Sequence, residues 1–367
     1  MKHQSSLPKS TCFGRSQTRS GSTSATTPRA VGVHSRRLAA LGLAGILSLG
    51  LVACSEESGS SSSGKAATNT SSSSAAAGAD EMRTVTDARG TVEIPAKPKR
   101  IVSTSVVLTG TLLSLDAPVI GTSGSKPNTP GFDEHGWFDQ WANIADERGV
   151  EPLFDSGNLD VEKIIAEDPD LIVVSATGGD SFAEQYDQLA AVAPTVVVDY
   201  NSHGWEEVTT TLGDLLNLQD KAAQVIKDFD SKVADAKKSI TPPAEPVDIA
   251  VYSGNKGLNV GLPTAPQAKI LEEVGVKVAD TGVTAEKGRT DFAFTSEEQA
   301  NQALTAEQIL LVGNDQSDVD ALLADQRFQN IPAVKNKQVY ALGDPSFKLD
   351  YYAALDMLNH VVDIYKK

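Results

Sequence analysis

Cysteine is nearly absent from this 367-residue chain: only Cys12 and Cys54 occur. Aromatic residues make up 5% of it, and histidine occupies five positions. Each scarcity excludes something. If the first 53 residues are removed, Cys54 alone remains, which rules out an internal disulfide framework. His135, His203 and His360 are then the only histidines, widely separated and without ligand spacing, so a direct metal site is not expected. The chain has no Gly-x-Ser-x-Gly elbow and no Walker-type phosphate loop, and nothing in it suggests an enzyme. Thr177-Gly178-Gly179 is Gly-rich, but two adjacent glycines read as a loop requirement.

Acids are missing from residues 1–53, which carry seven Lys/Arg. Residues 1–37 are basic and polar, Leu38–Leu51 is a run of small and apolar residues, and Leu51-Val52-Ala53-Cys54 follows. A basic region, a short apolar core and small residues at the cut describe a signal peptide over 1–53. The run is shorter than the roughly 20 residues that a membrane-spanning helix needs. Leu-Val-Ala-Cys resembles the lipobox of bacterial lipoproteins, which implies that Cys54 becomes the lipidated first residue. Removing 1–53 takes the formal net charge from −16 to −23. Such a surface repels nucleic acid, and it binds an anion only where cations are concentrated locally.

Ser55–Gly78 is Ser, Ala, Gly and Thr with almost nothing large and apolar, so 54–83 reads as a flexible tether from the lipid. Beyond it the pattern changes. Arg100–Ser103, Pro118–Gly121, Leu171–Ser175 and Thr195–Asp199 are short β-branched runs. Helical spacing at Leu159–Glu167 and Ser181–Ala191 separates some of them, which predicts an α/β lobe over 84–218. Leu212 to Val233 repeat every three or four residues, with a break near Asn217 and a long helix from about Asp220 to Ser239. Prolines at 242, 243 and 246 end it. The alternation then restarts, with strands at Val247–Tyr252, Gln308–Val312 and Gln338–Leu342. Helices are expected at Pro266–Val274, Asp318–Asp325 and Asp350–Tyr365, giving a second α/β lobe over 242–367. A connecting helix over 219–241 joins the two lobes and limits hinge motion.

From Thr84 onward the chain resembles siderophore-binding proteins of ABC transporters, most of all those of the ferric enterobactin type. The likeness rests on Arg100–Gly121, Leu171–Val196 and Ala333–Leu355, with Ala176-Thr-Gly-Gly-Asp-Ser181 and Leu349-Asp-Tyr-Tyr352 the most specific stretches. It implies the helical-backbone (class III) periplasmic binding protein fold: two α/β lobes, a long rigid helix, and little closure on binding. It also implies a monomeric carrier with no cofactor of its own, held outside the cytoplasmic membrane through Cys54. Its implied partners are a ferric siderophore and the membrane subunits of an ABC permease.

A ferric catecholate is a compact aromatic trianion whose iron is already fully coordinated, so the protein must supply cations and flat apolar groups. Candidates belong on loops at the C-terminal ends of strands. Lys126 lies in the loop Thr122–Pro130; the family carries an arginine further along this loop, where Pro130 stands here. Trp205 matches a family tryptophan and is expected to be an aromatic wall. Arg289 matches a basic segment, and Lys348 stands where the family has arginine. Tyr351, or its neighbour Tyr352, could add a ring. Trp137 and Trp141, four apart, are expected to pack one helical face onto their own lobe. For docking to the permease, the resemblance points to Glu272; the N-lobe glutamate falls near Gly110, leaving Asp116 as a substitute. Ferric hydroxamate, haem (through Tyr351 or Tyr352) and cobalamin carriers of the same fold are the alternatives.

Overall fold

The computed structural model describes residues 81–286 and 289–367. The signal peptide, Cys54 and most of the tether lie outside the described residues.

The described chain opens with a hairpin that the sequence pattern did not announce, β1 (Met82–Asp87) and β2 (Gly90–Pro95). Asp87 makes the turn, its carboxylate accepting from the backbone N–H of Arg89 and Gly90 at 2.8 and 3.0 Å. The other carboxylate oxygen accepts from Val197 N–H at 2.7 Å, which ties the hairpin to the edge of the first sheet.

That sheet contains β3 (Ile101–Ser103), β4 (Val119–Gly124), β5 (Glu151–Asp155), β6 (Leu171–Ser175) and β7 (Thr195–Val198). Their order is β5-β4-β3-β6-β7 and every pairing is parallel. Parallel neighbours need crossovers, supplied by α1 (Val106–Ser114), α2 (Asp139–Glu147), α3 (Val161–Ala166) and α4 (Tyr186–Ala190). Covered on both faces, β6 is buried at every residue, which is why it reads as an unbroken apolar run. Trp137 and Trp141 are both fully buried with ring centroids 5.9 Å apart. Trp137 precedes α2 rather than sharing its face.

Two helices follow. α5 (Trp205–Leu216) ends where Asn217 turns left-handed at φ 60°, and α6 (Gln219–Ser239) begins two residues later. α6 buries Ala222, Val225, Phe229, Val233 and Ala236, the expected stripe. Covering Phe229 alone contributes roughly 1.5–3 kcal/mol.

The second lobe holds β8 (Asp248–Tyr252), β9 (Leu258–Gly261), α7 (Pro266–Val274), β10 (Phe292–Phe294), α8 (Glu297–Ala303), β11 (Ile309–Leu311), α9 (Gln316–Ala324), α10 (Pro332–Lys335), β12 (Val339–Ala341) and α11 (Tyr351–Tyr365). Its sheet runs β10-β9-β8-β11-β12, with β11 parallel to β8 and β12, and β9 antiparallel to both its neighbours.

α6 is not the only element between the lobes. At its start, α11 packs on α1 and α2 of the first lobe, and it runs beside α6 to its end. There the backbones lock: Thr241 N–H donates to Tyr365 C=O at 2.8 Å and Lys367 N–H to Ser239 C=O at 3.1 Å. At the other end, Asp350 caps α11, accepting from Ala353 N–H at 2.8 Å, while fully buried against the first lobe. Gly110 of α1 permits this approach, since a Cβ there would lie 1.9 Å from the Asp350 carboxylate. A side chain at 110 would have to displace the buried Asp350 and Trp141, so the glutamate expected near it has no ready place. Among the described residues, no helix is long and apolar enough to cross a membrane.

Candidate functional site

The loops after β6 and β7 face the segment Asp344–Asp350 of the second lobe, and Lys348 joins them. Its ammonium donates to Asn201 Oδ1 at 3.1 Å and lies 5.3 Å from the centre of the Tyr200 ring and 5.5 Å from that of Phe347. Among the described residues, no carboxylate forms an ion pair with it. Burial pushes its pKa down, Arg289 adds to that, and Asp291 and Asp180 oppose it. A partly desolvated cation answered only by an amide oxygen and two ring faces favours the arrival of an anion.

Beside it, Arg289 is engaged otherwise. Its guanidinium forms a fork onto Asp291, with N–O distances of 3.1 and 3.0 Å, and lies 4.9 Å from the centre of the Phe294 ring. Phe294 is 59% exposed and Phe347 38%, unusual values for such large apolar groups. The site thus has one uncommitted cation, one cation shared with an acid, and three rings from Tyr200, Phe294 and Phe347. None of those rings was singled out from the sequence. Tyr200 was findable, because it follows directly on the C-terminal end of a parallel strand.

The other expected residues fall elsewhere. Trp205 is not a cleft wall: it is 3% exposed, packed edge-on against Phe229 at 5.0 Å and 6.2 Å from Tyr351. It opens α5, and its indole turns inward because α6 and α11 cover that face. Tyr351 lies half-buried in the same seam, its ring against Trp205 and Tyr352, and no described contact joins it to Lys348. Burial and the nearby Asp228 raise its pKa against the pull of Lys221, so it stays a neutral phenol. Tyr352, in the first-lobe core, is pushed up to about 12, chiefly by burial. Lys126 is exposed on the loop after β4, and no described contact joins it to Lys348, Arg289 or Tyr200.

Of the two docking candidates, Glu272 stands exposed on α7 with no ion-pair partner among the described residues. Asp116 is different. It pairs with Arg148 at 2.8 Å and with Lys221, and although burial works against it, these two cations hold its carboxyl below the usual range. Its charge is already compensated, which makes it a poor free acid for a partner.

A separate cavity of about 660 Å³ is lined by Asp139, Asp315, Asp344, Asp356, Asp363 and His360, among others. Five carboxylates would repel an anionic ligand, and it contains none of the Lys348 cluster.

The periplasmic binding protein family model matches residues 138–345. The ferric enterobactin-binding periplasmic protein FepB of Escherichia coli O6:H1 is 40% identical over 289 residues, which is 77% of this chain and 91% of that protein. The iron(3+)-hydroxamate-binding protein YxeB of Bacillus subtilis is 37% identical over 161 residues, 44% of each chain. Among solved structures, holo-ViuP is similar with a TM-score of 0.70 at 33% identity, covering 78% of this chain and 95% of its own.

Proposed function

This chain belongs to the periplasmic binding protein family, and on that premise we propose that it captures a ferric siderophore of the catecholate class for an ABC importer. It is a binding protein rather than an enzyme, as its relatives are. The observation that carries the ligand class is Lys348: a partly desolvated ammonium with no ion-pair partner among the described residues, beside the rings of Tyr200 and Phe347. A ferric catecholate offers complementary chemistry, three negative charges spread over oxygens and flat rings that stack on aromatic faces. No protein ligand to iron is required, because the chelate already fills the metal's coordination shell.

One observation favours a second reading. Asp291 offsets the charge of Arg289, so the site carries less positive charge than a trianion would ideally meet. A ferric hydroxamate, with less charge and no rings, would tolerate that better. A haem carrier would need Tyr351 or Tyr352 free to ligate, and both rings pack against the core of a lobe. Titrating ferric enterobactin, a ferric hydroxamate, haem and cobalamin against tryptophan fluorescence is the test. Saturable quenching by ferric enterobactin is expected; binding of the hydroxamate alone would sink the catecholate assignment.

The rest of the assignment concerns position in the cell. Lipidation of Cys54 would hold the monomeric carrier at the outer face of the cytoplasmic membrane, with 54–83 as a tether that lets it turn toward the permease. Glu272, exposed and unpaired among the described residues, is the docking acid on the second lobe. On the first lobe Asp116 is spoken for by Arg148 and Lys221 and is the weaker candidate.

A further inference from the structure

Asp180 is 5% exposed, in the loop after β6, and its carboxylate accepts from three groups on two other segments. Ser105 Oγ, at the start of α1, donates to Oδ2 at 2.5 Å, and Val107 N–H reaches the same oxygen at 3.3 Å. The Tyr200 hydroxyl, beyond β7, donates to Oδ1 at 2.7 Å. Among the described residues, no cation forms an ion pair with this acid. Burying a carboxylate this way is a poor route to stability, since an apolar residue of similar size would cost less. What it secures is orientation, because it ties together loops at the ends of three neighbouring strands, β3, β6 and β7.

Tyr200 is where that orientation has an effect. Its hydroxyl end is anchored below, while its ring face lies under the Lys348 ammonium. Gly178 makes the anchorage possible: at φ 105° it adopts a conformation other residues avoid, and a Cβ there would lie 2.2 Å from the Tyr200 hydroxyl. Burial and Asp180 together raise the Tyr200 pKa, so the phenol keeps its proton and goes on donating. Asn201, the next residue, is held by Thr177 of the Asp180 loop at 2.8 Å and in turn accepts from Lys348.

We infer that Asp180 is a positioning residue: it fixes the Tyr200 ring as the aromatic wall of the first lobe, the surface that makes this site selective for aryl-bearing ferric chelates. The inference rests on the ferric-siderophore reading above, and it gives Ala176–Ser181 a function: Gly178 leaves room for the phenol, and Asp180 anchors it.

The test is a double-mutant cycle read by fluorescence titration with ferric enterobactin, using the wild type, Asp180→Ala, Tyr200→Phe and the double variant. Each single change should weaken binding about tenfold, and the double variant should be no weaker than the worse single, because both remove the Asp180–Tyr200 bond. Asp180→Asn keeps a carbonyl to accept the phenol and should return affinity to within about threefold of wild type, a rescue that loop stability alone would not produce. If Asp180→Ala does not fold, Tyr200→Phe still removes the same bond by a single oxygen. Binding by Tyr200→Phe within twofold of wild type, or losses that multiply in the double variant, would overturn the inference. A wild type that ignores ferric enterobactin would instead overturn the functional reading, and this inference with it.

Discussion

Replacing Lys348 by methionine keeps the length of the side chain and removes its charge, and it should weaken capture of a ferric catecholate by roughly 5- to 30-fold. The magnitude follows from an exchange. Breaking a hydrogen-bonded pair of opposite charges at a binding site costs about 2–5 kcal/mol. Against that stands the loss of the bond to Asn201, also made by the charged donor and worth about 1.5–3 kcal/mol, which the ligand must displace. Burial has already stripped part of the water from the ammonium, so that cost is not met again on binding. The difference, about 1–2 kcal/mol, gives the stated range at about 1.4 kcal/mol per decade. Lys348→Arg should bind at least as well as wild type, since it restores charge and adds a planar fork. Removing Arg289 and Asp291 together should matter less than losing Lys348 alone, because their charges cancel. The pH profile gives an independent check. Because its pKa is lowered, Lys348 loses its charge at a lower pH than an ordinary lysine, and affinity should fall there in the wild type but not in Lys348→Arg. Fluorescence titration with ferric enterobactin measures both. A Lys348→Met protein that binds within twofold of wild type would refute the electrostatic argument, and a large drop in melting temperature would show that the residue serves the fold instead.

Three further outcomes are expected. Burial pushes the Asp350 carboxyl up to about 7, so between about pH 4 and 7 the folded protein holds a proton that the unfolded chain has released. Stability should therefore fall as pH rises through that window, with a slope of up to about 1.4 kcal/mol per pH unit, and denaturant melts of Asp350→Asn should lack that component. Glu272→Arg should bind its ligand normally yet fail in cellular uptake of the iron complex; normal uptake would remove Glu272 from the docking face. Cys54→Ser should leave the protein free of lipid and released from the membrane fraction on detergent phase separation, whereas retention there would argue against the anchor.

Elements covered on both faces were legible in the sequence whenever their residues were β-branched, as in Leu171–Ser175 and Thr195–Val198. α1 was not, because eight of its nine residues are buried and no polar stripe marks a helical period. β9 and β10 are too short to show a pattern, and they introduce the antiparallel turn that the expected strand–helix alternation lacked. The site divided along similar lines. Lys348 was singled out because charge and family likeness coincide there, and the fold sets it beside Tyr200 and Phe347. Trp205 misled because its burial depends on Phe229 and Tyr351, which are distant in sequence. The loss of Asp116 as a free acid likewise depends on Arg148 and Lys221, whose approach only the fold reveals. Asp180 and Tyr200, 20 residues apart, carried no local signal of their bond.

The paired struts α6 and α11, locked at one end by backbone hydrogen bonds and buried at the other around Asp350, have a consequence for traffic at the membrane. A carrier that snaps shut announces its cargo by shape, and an importer can ignore the empty form. Here both struts would have to deform before the lobes moved, and a carrier braced in this way would present nearly the same outline empty or loaded. Empty molecules would then queue for the same docking surface as full ones, and uptake would depend on the ratio of the two as well as on affinity. Under iron scarcity, making more carrier beyond the supply of ferric ligand would slow import instead of speeding it.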